Sequence, residues 1–321
     1  MPNFFSNISK QFKGITTSYS KSSLWGKVII FTILLMILIM IFKNLKSERT
    51  GIIEGFDQND KFLFKSGSEV YDDFYANIYD YLVFNNLKDE YEVGEIINKT
   101  TASSQSKILD VGCGTGHHVA ELARRSIDVL GIDISPSMIK KAKENYPNYK
   151  FEVSDATNSQ IYPSDTFTHI LCMYFTIYYI KDKAMFFQNC SRWLMPGGYL
   201  IVHLVDREKF DPILPPGNPL LYVSPQKYSK KRITQTKVKF NDFAYNADFD
   251  LDEQNNIAKF TERFKNDSDG KVRKQEHTMY MPDLKEIVDE IQGTGFILDS
   301  IIDLIHCQYE YQYLYVFTKV N

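Results

Sequence analysis

The sequence of 321 residues lacks several patterns that assign a protein to a class at once. Its four cysteines are widely separated, and the absence of any C-x-x-C pair excludes a zinc knuckle and a dithiol redox site. Scattered single thiols are typical of a reducing compartment rather than of a disulfide framework. No glycine-rich segment ends in Gly-Lys-Ser or Gly-Lys-Thr, so a P-loop nucleotide site is excluded as well.

An excess of positive charge is also missing. The formal net charge is −3, so the chain has no overall basic footprint of the kind that nucleic-acid-binding domains carry. Hydrophobic residues make up 44% of the chain and charged residues 24%, which is enough apolar material for a packed core. The length fits one medium-large domain with an appendage, or at most two domains.

One long apolar run is present near the N-terminus. Residues 28–42 carry no charge and are flanked by Lys27 and Lys43. A helix over this run spans about 22 Å, which is less than the ~30 Å hydrocarbon core of a bilayer. Extending the helix to residues 24–45 lets both lysines snorkel to the interface. We therefore predict a transmembrane helix at 24–45, with a buried core helix and a cleaved signal peptide as the alternatives.

This anchor divides the chain into segments. Residues 1–23 are predicted to be a polar tail, residues 46–65 a linker, and residues 66–321 the folded domain. Lysines and arginines are nearly balanced on the two sides of the apolar run, so the positive-inside rule does not orient it.

Strands and helices alternate through the middle of the chain. Five apolar stretches are predicted as strands: 107–111, 129–132, 149–153, 167–173 and 199–205. Two later stretches, 296–304 and 313–318, complete the set. Alternation at this spacing predicts an α/β fold with a doubly wound, mostly parallel sheet of seven strands.

The pattern changes between the fifth strand and the last two. Residues 243–250, 257–264 and 271–281 are predicted as strands separated by polar turns, which indicates an antiparallel insert within 207–281. Ligands of open α/β sheets bind beyond the carboxyl ends of the strands, where this insert begins. We predict that the insert is a lid that sets substrate specificity.

A glycine turn follows the first of these strands. Gly112, Gly114 and Gly116, in "ILDVGCGTGHHVAEL", permit positive φ and a close backbone approach. The helix behind them offers unpaired N–H groups and the positive end of its dipole. The spacing G-x-G-x-G differs from the G-x-G-x-x-G fingerprint of dinucleotide sites.

"LDVGCGTG" resembles the first motif of class I S-adenosylmethionine-dependent methyltransferases. "LGIDIS", "FEVSDAT", "FTHILCMYF" and "LMPGGYLIVH" follow in the order and spacing of that family's later motifs. The resemblance covers residues 105–206 well and the last strands moderately. It implies a Rossmann-like fold, methyltransferase activity and S-adenosyl-L-methionine as the cofactor, and it implies no metal ligand.

The resemblance also implies the cofactor contacts. Asp133 would accept hydrogen bonds from the ribose hydroxyls, Asp155 would meet the adenine amino group, and the glycine turn would hold the amino-acid end. Asp110 would reach the cofactor's amino group through water. The expected cofactor-binding residues are Asp110, Gly112, Gly114, Gly116, Asp133, Ile134, Asp155 and Ala156.

The catalytic residue stays open, because a sulfonium methyl donor is already activated and only a protonated acceptor needs a base. Tyr174 and Tyr178 follow the fourth strand, His203 lies in the fifth, and His277 lies in the insert. Core packing is the alternative role for both tyrosines and for His203. His277 is a candidate for substrate contact.

These features predict a single-pass membrane protein with a cytosolic catalytic domain. Its acceptor would be a small molecule, a lipid-like head group or a protein. One alternative is an RNA methyltransferase, which the missing basic footprint and the missing Asn/Asp-Pro-Pro-Tyr/Phe tetrapeptide argue against. The other is a non-catalytic scaffold, which the intact glycine turn and Asp133 argue against. The sequence does not indicate an oligomeric state.

Overall fold

The protein is described by a computed structural model over residues 23–47, 61–214, 226 and 229–320. Two units divide the chain, residues 1–53 and residues 54–321. In the first unit the structure describes one helix, α1 (Leu24–Ser47). The predicted polar tail lies outside the described residues apart from Ser23, and so does most of the predicted linker, 46–65.

The apolar run does form a helix, but its predicted role is corrected. In the part of the chain that the structure describes, no helix combines the length and the apolar character that crossing a membrane requires. This finding contradicts the transmembrane helix at 24–45 and the single-pass membrane location. The physical reason is length, since the uncharged part, 28–42, spans only about 22 Å, and the extension brings Lys27 and Lys43 into the helix.

The second unit contains two sheets and seven helices among its described residues. The strands are β1 (Phe62–Ser66), β2 (Lys107–Val111), β3 (Asp128–Asp133), β4 (Lys150–Val153), β5 (Phe167–Cys172), β6 (Leu194–Val205), β7 (Gln235–Lys239), β8 (Phe243–Asp252), β9 (Ile257–Asn266), β10 (Val272–Tyr280), β11 (Phe296–Asp303) and β12 (Gln312–Lys319). The helices are α2 (Asp73–Val83), α3 (Asn86–Thr100), α4 (His117–Arg124), α5 (Pro136–Asn145), α6 (Thr176–Tyr179), α7 (Lys183–Trp193) and α8 (Leu284–Gly293).

The main sheet has seven strands in the order β11-β12-β6-β5-β2-β3-β4. The pairs β2·β3, β2·β5, β3·β4 and β5·β6 are parallel. Strand β12 runs antiparallel to both of its neighbours, β6 and β11. This topology confirms the predicted Rossmann-like α/β sheet and places the ends of β2, β3 and β5 side by side at one edge.

Side chains of the main sheet alternate between two buried faces, as expected for parallel strands covered by helices. Leu109 and Ile170 join a core cluster with Trp193, on the face that α7 and α8 cover. Ile108 and Leu171 join a second cluster with residues of α3, α4 and α5. Full burial of one large apolar side chain contributes about 1.5–3 kcal/mol, so these two clusters fix the sheet between its helices.

The second sheet has five strands in the order β1-β10-β9-β8-β7. Strands β7 to β10 come from the predicted insert and pair antiparallel in sequence. Strand β1 pairs parallel with β10, with Phe62 opposite Val272. The five-stranded sheet therefore includes a strand that precedes the main sheet in the sequence. This strand begins inside the segment predicted as a linker, 46–65.

Candidate active site

The glycine turn joins β2 to α4 in a conformation that requires glycine. Gly112, Gly114 and Gly116 have φ angles of +69°, +54° and +92°. A Cβ atom on Gly112 would lie 2.5 Å from the side chain of Thr176, and one on Gly116 would lie 2.7 Å from the ring of Phe151. Side-chain-free backbone is therefore needed here both for its torsion angles and for space.

Asp133 lies beside this turn at the end of β3. Its carboxylate accepts hydrogen bonds from the N–H of Gly114 at 3.1 Å and from the N–H of Ser135 at 2.9 Å. Burial raises the pKa of Asp133, and the two backbone hydrogen bonds only partly oppose that rise. The side chain of Ser135 caps α5 and donates to the carbonyl of Tyr71 at 2.6 Å. The carboxylate is thus held in one position between the turn and the following helix.

Asp110 lies near the end of β2, in the interior of the protein. It is 1% exposed, and neither carboxylate oxygen has a hydrogen-bond partner among the described residues. Burial raises its pKa to about 7, against a lowering influence of His118. A buried carboxylate without partners is costly unless a ligand supplies a donor. The amino group of the expected cofactor is such a donor.

The other three expected cofactor residues lie at the ends of β3 and β4. Ile134 follows Asp133 and its side chain is 57% exposed. Asp155 accepts hydrogen bonds from the backbone N–H and the hydroxyl of Thr157, at 2.9 and 2.7 Å. Ala156 is buried, and its carbonyl accepts from the side chain of Asn189. Their contacts with an adenine ring stay predictions.

A cap formed by α2 is fastened at both ends. Asp72 caps the start of the helix, and its carboxylate accepts from the N–H of Tyr75 at 3.2 Å. Arg273 on β10 donates to the same carboxylate at 2.8 Å. Thr115 of the glycine turn donates to Asp80 near the end of the helix at 2.6 Å. The cap is therefore tied to the five-stranded sheet and to the turn.

Tyrosine side chains meet between the cap and the end of β5. A ring atom of Tyr79 lies 3.8 Å from the position that a Cβ on Gly114 would take. Tyr71, Tyr79, Tyr174 and Tyr179 are all partly exposed, although burial raises the pKa of each phenol. The four phenols are thus largely desolvated and still in contact with solvent. We call these four tyrosines the aromatic recess.

Two of the four catalytic candidates lie in the core. Tyr178 is fully buried, and its hydroxyl oxygen accepts from the N–H of Val205 at 2.8 Å. His203 is also fully buried, and its Nδ1 donates to the carbonyl of Tyr174. Burial lowers the pKa of His203 to about 4, so the ring is neutral at pH 7. Both residues lie within the core that supports the recess.

Tyr174 has an unusual backbone conformation for its residue type. Its φ angle is +49°, in the left-handed region that non-glycine residues seldom occupy. The hydrogen bond from His203 holds its carbonyl, and Lys88 Nζ lies 5.2 Å from the centre of its ring. Strain of this kind is held by surrounding contacts and concentrates at functional sites. The structure thus directs the Tyr174 ring into the recess directly after β5.

His277, the fourth candidate, is part of a buried polar network on the five-stranded sheet. Its Nε2 lies 2.8 Å from a carboxylate oxygen of Glu262, and its Nδ1 lies 3.1 Å from the hydroxyl of Tyr179. Tyr245 and Gln275 each donate to Glu262 at 2.6 Å. Burial acts to raise the pKa of Glu262, but these hydrogen bonds outweigh it and the pKa is lowered. The network connects the insert to the recess.

The sequence analysis did not identify Glu262, although the alternation of residues along β9 indicates it. Even-numbered residues of this strand point to the protein interior, and Glu262 shares their register with Ala258 and Phe264. An acid on the apolar face of an alternating strand is unusual and calls for a buried partner. On β10 the odd-numbered positions, which include His277, supply that partner.

A second buried charged cluster lies below the glycine turn and was also missed. Lys88 Nζ is 2.7 Å from Glu92 Oε1, a close ion pair without hydrogen-bond alignment, and His118 Nε2 is 2.9 Å from Glu92 Oε2. Ligand atoms of Asp89, Glu92 and His118 lie within 4.8 Å of one another. Lys88 and His118 neutralise Glu92, so the cluster is satisfied as a salt-bridge network.

Residues 108–198 match the model of a protein family described as "Methyltransferase domain". This region contains the glycine turn, Asp133 and Tyr174, so the similarity to a methyltransferase domain coincides with the candidate site. The match ends before the insert and begins after the cap, and it leaves the five-stranded sheet outside.

Among curated proteins, phosphoethanolamine N-methyltransferase 3 of Arabidopsis thaliana is 36% identical over 113 residues, which are 34% of this chain and 23% of that protein. The chain therefore matches less than a quarter of that relative. Two solved structures share the fold. The CcbJ methyltransferase of Streptomyces caelestis has a TM-score of 0.61 at 14% identity, covering 79% of this chain and 99% of that one. SAM-bound CalS10, an amino pentose methyltransferase from Micromonospora echinaspora, has a TM-score of 0.53 at 18% identity, covering 72% and 92%.

Proposed function

We propose that this protein is an S-adenosyl-L-methionine-dependent methyltransferase whose acceptor is a small molecule. The observation that carries the proposal is the glycine turn, which has Asp133 fixed beside it, the unpartnered Asp110 below it and the aromatic recess above it. The methyltransferase domain match over residues 108–198 supports the activity and the cofactor. The names of the matched phosphoethanolamine and amino pentose methyltransferases support a small-molecule acceptor.

The residues of the turn fit this cofactor. The bare backbone of Gly112 and Gly114 allows the cofactor's amino-acid end to approach, and the start of α4 offers N–H groups to its carboxylate. Asp110 would balance its ammonium group, and Asp133 would accept from its ribose hydroxyls. When bound, the cofactor supplies an activated methyl group on a sulfonium, and the protein's part is to hold that group in line with the acceptor.

The acceptor would occupy the aromatic recess. Tyr79 lies directly above Gly114, and Tyr174 follows β5, so the recess opens beside the cofactor position. The recess is bounded by the cap on one side and by β10 on the other, through Arg273 and His277. Walls on several sides suit a small molecule better than a polymer.

Binding of S-adenosylhomocysteine tests the cofactor assignment. Isothermal titration of the full chain should show binding, and Asp133→Ala should weaken it roughly 10- to 100-fold, because hydrogen bonds to a charged group contribute about 1.5–3 kcal/mol. Asp128→Ala is the matched control, since Asp128 starts the same strand and pairs with Lys150 on the surface. Equal affinities of the two variants would contradict the assignment.

Transfer of a radiolabelled methyl group tests the acceptor class. The full chain would be incubated with the labelled cofactor and with separate small-molecule, lipid, protein and RNA fractions of a cell extract. Label in the small-molecule fraction is the expected result. Label confined to the protein or RNA fraction would contradict the proposal.

A further inference from the structure

Three residues form a chain of hydrogen bonds from the aromatic recess to the buried carboxylate of the five-stranded sheet, and Tyr71 lies beside the outer end of this chain. Tyr179 hydrogen-bonds to His277 and His277 to Glu262, and the ring centre of Tyr71 lies 5.9 Å from that of Tyr179. The hydrogen bonds join the helix after β5 to two strands of the insert. Tyr71 and Tyr179 are partly exposed, whereas His277 is 2% exposed and Glu262 is fully buried.

The donors in this chain all point the same way. The ionised carboxylate of Glu262 can only accept, so Nε2 of His277 carries the proton and Nδ1 is left as an acceptor. The hydroxyl of Tyr179 therefore donates to Nδ1. Since the hydroxyl of Tyr179 has a single proton, its oxygen is left to accept a proton from the recess.

The surroundings of this hydrogen-bond chain favour a positive charge. The rings of Tyr71, Tyr75 and Phe260 lie 5.6, 5.6 and 5.7 Å from the ring of His277, centre to centre. Aromatic faces around a buried carboxylate attract cations. Among the described residues, the buried lysines and the buried arginine already have partners of their own. Lys88 pairs with Glu92, Lys183 donates to two backbone carbonyls, and Arg273 donates to Asp72.

We propose that the acceptor is a small amine that enters the recess as its ammonium ion, and that Tyr179, His277 and Glu262 remove its proton. This proposal rests on the proposed function and names the substrate class of the same site. One N–H bond of the ammonium breaks, and its proton passes to the oxygen of Tyr179.

The remaining transfers follow the chain. As Tyr179 takes up this proton, it passes its own hydroxyl proton to Nδ1 of His277, which becomes an imidazolium paired with Glu262. The nitrogen keeps the electron pair of the broken bond and can then bond to the methyl group as the sulfur–carbon bond of the cofactor breaks. An acceptor with only hydroxyl groups would bring no positive charge for this carboxylate to stabilise.

Binding of two probes of similar shape tests, without catalysis, whether the recess prefers a positively charged ligand. Tetramethylammonium and tert-butanol have a similar shape, and only the first is charged. In protein saturated with S-adenosylhomocysteine, titration followed by tyrosine fluorescence should show at least tenfold tighter binding of tetramethylammonium. Glu262→Gln should remove that preference, while Glu276→Gln, on the outward face of the neighbouring strand, should keep it. No preference in the native chain, or equal losses in the two variants, would overturn the proposal.

The direction of the hydrogen bonds can be read by NMR. A long-range ¹H–¹⁵N spectrum should place the proton of His277 on Nε2, and Tyr179→Phe should change the shift of Nδ1. His306, which is exposed, serves as the internal reference. A proton on Nδ1 in the native chain would overturn the relay.

Two outcomes separate this proposal from the proposed function. Loss of S-adenosylhomocysteine binding in the native chain would contradict the cofactor assignment itself. Retained binding, with labelled methyl product that passes through a cation-exchange resin, would leave the methyltransferase in place and exclude the amine. The expected result is label retained on the resin at pH 7, and a 10²- to 10⁴-fold slower single turnover in Glu262→Gln and His277→Asn.

Discussion

Two buried glutamate–histidine pairs with nearly the same geometry lie on opposite sides of the candidate site. In the first, His118 Nε2 is 2.9 Å from Glu92, and in the second, His277 Nε2 is 2.8 Å from Glu262. Both glutamates are fully buried. The pairs differ in their third partners, because Glu92 is paired with Lys88 whereas Glu262 accepts from the neutral donors Tyr245 and Gln275.

The third partner determines the charge of each histidine's surroundings. Burial acts to raise the pKa of Glu92, but Lys88 and His118 outweigh it and lower the pKa to about 2. Burial acts to lower the pKa of His118, but Asp89 and Glu92 raise it to about 9. The first pair is therefore fully ionised at pH 7 and closed on itself. In the second pair, Nδ1 of His277 lies 3.1 Å from the hydroxyl of Tyr179, which belongs to the recess.

A buried glutamate–histidine pair therefore does not by itself indicate a functional site. One pair stabilises the junction of α3 and α4 below the glycine turn, and the other is proposed to serve the acceptor. The distinction appears only when every partner of the carboxylate is named.

The largest expected effect is on stability, and it should separate the two glutamates. Glu92→Gln removes the carboxylate that pairs with the buried Lys88 and leaves His118 with Asp89 alone. Breaking a buried ion pair in this way costs about 3–5 kcal/mol. Glu262→Gln keeps an amide among neutral donors and should cost about 1–2 kcal/mol. Urea unfolding of both variants measures the difference, and equal losses would show that the two networks are equivalent.

The pH dependence of unfolding should isolate the ionic pair. His118 has a raised pKa of about 9, so its stabilisation is complete below its ordinary value of 6.5 and is lost as the pH rises through 9. For Glu92, with a lowered pKa of about 2, stabilisation is present above 4.5 and is lost as the pH falls through 2. The pair is thus most stabilising between pH 4.5 and 6.5.

Between pH 6.5 and 9 the free energy of unfolding should fall by about 3 kcal/mol from this pair. His118→Asn should remove most of that fall, since no proton is then lost at this site. His277→Asn should leave it in place, because His118 is still present. Urea unfolding at several pH values provides the measurement, and a slope that survives His118→Asn would contradict the assignment.

A smaller effect is expected on the affinity for the cofactor, through the protonation of Asp110. The pKa of Asp110 is raised to about 7, and an ammonium ligand requires the ionised carboxylate. Affinity for S-adenosylhomocysteine should therefore rise roughly fivefold from pH 6 to pH 7, as the protonated fraction of Asp110 falls. Titration calorimetry in buffers of different ionisation enthalpy should detect a released proton. Asp110→Asn should abolish both the pH dependence and the proton release, and a native affinity independent of pH would exclude this coupling.

The smallest expected effect tests the neutral donors of the second pair. Tyr245→Phe removes one hydrogen bond to Glu262 and should lower the free energy of unfolding by about 1 kcal/mol. Tyr313→Phe, on β12 of the main sheet, is the matched control and should change it by less. A loss near that of Glu92→Gln would mean that the Glu262 network is as tightly coupled as the ionic one.

Much of the main sheet could be predicted because its signals are local. Strand β2 has the predicted bounds, 107–111, and the glycine turn and Asp133 follow within a short span of sequence. The membrane anchor was predicted from the apolar run and its flanking lysines, and it is contradicted because no helix among the described residues is long and apolar enough to cross a membrane. Composition identified the helix, but the uncharged run was too short for the role assigned to it.

The acceptor side could not be predicted, because its partners are distant in sequence. Tyr179 and His277 are 98 residues apart, and Arg273 and Asp72 are 201 apart. Strand β1 joins the insert from before the main sheet, and no local pattern indicates that pairing. The alternation in β9 marked Glu262 as inward-facing, yet only its neighbours on β8 and β10 explain why a carboxylate is stable there.

The sequence by itself determined the order of strands and helices, the bare backbone of the glycine turn and the acid that ends β3. These follow from side-chain period and from the steric freedom of glycine, which act over a few residues. The tertiary structure decided which buried glutamate is locked in an ion pair and which is connected to the recess. Burial, charge compensation and donor direction depend on groups that only the folded chain brings within hydrogen-bond distance.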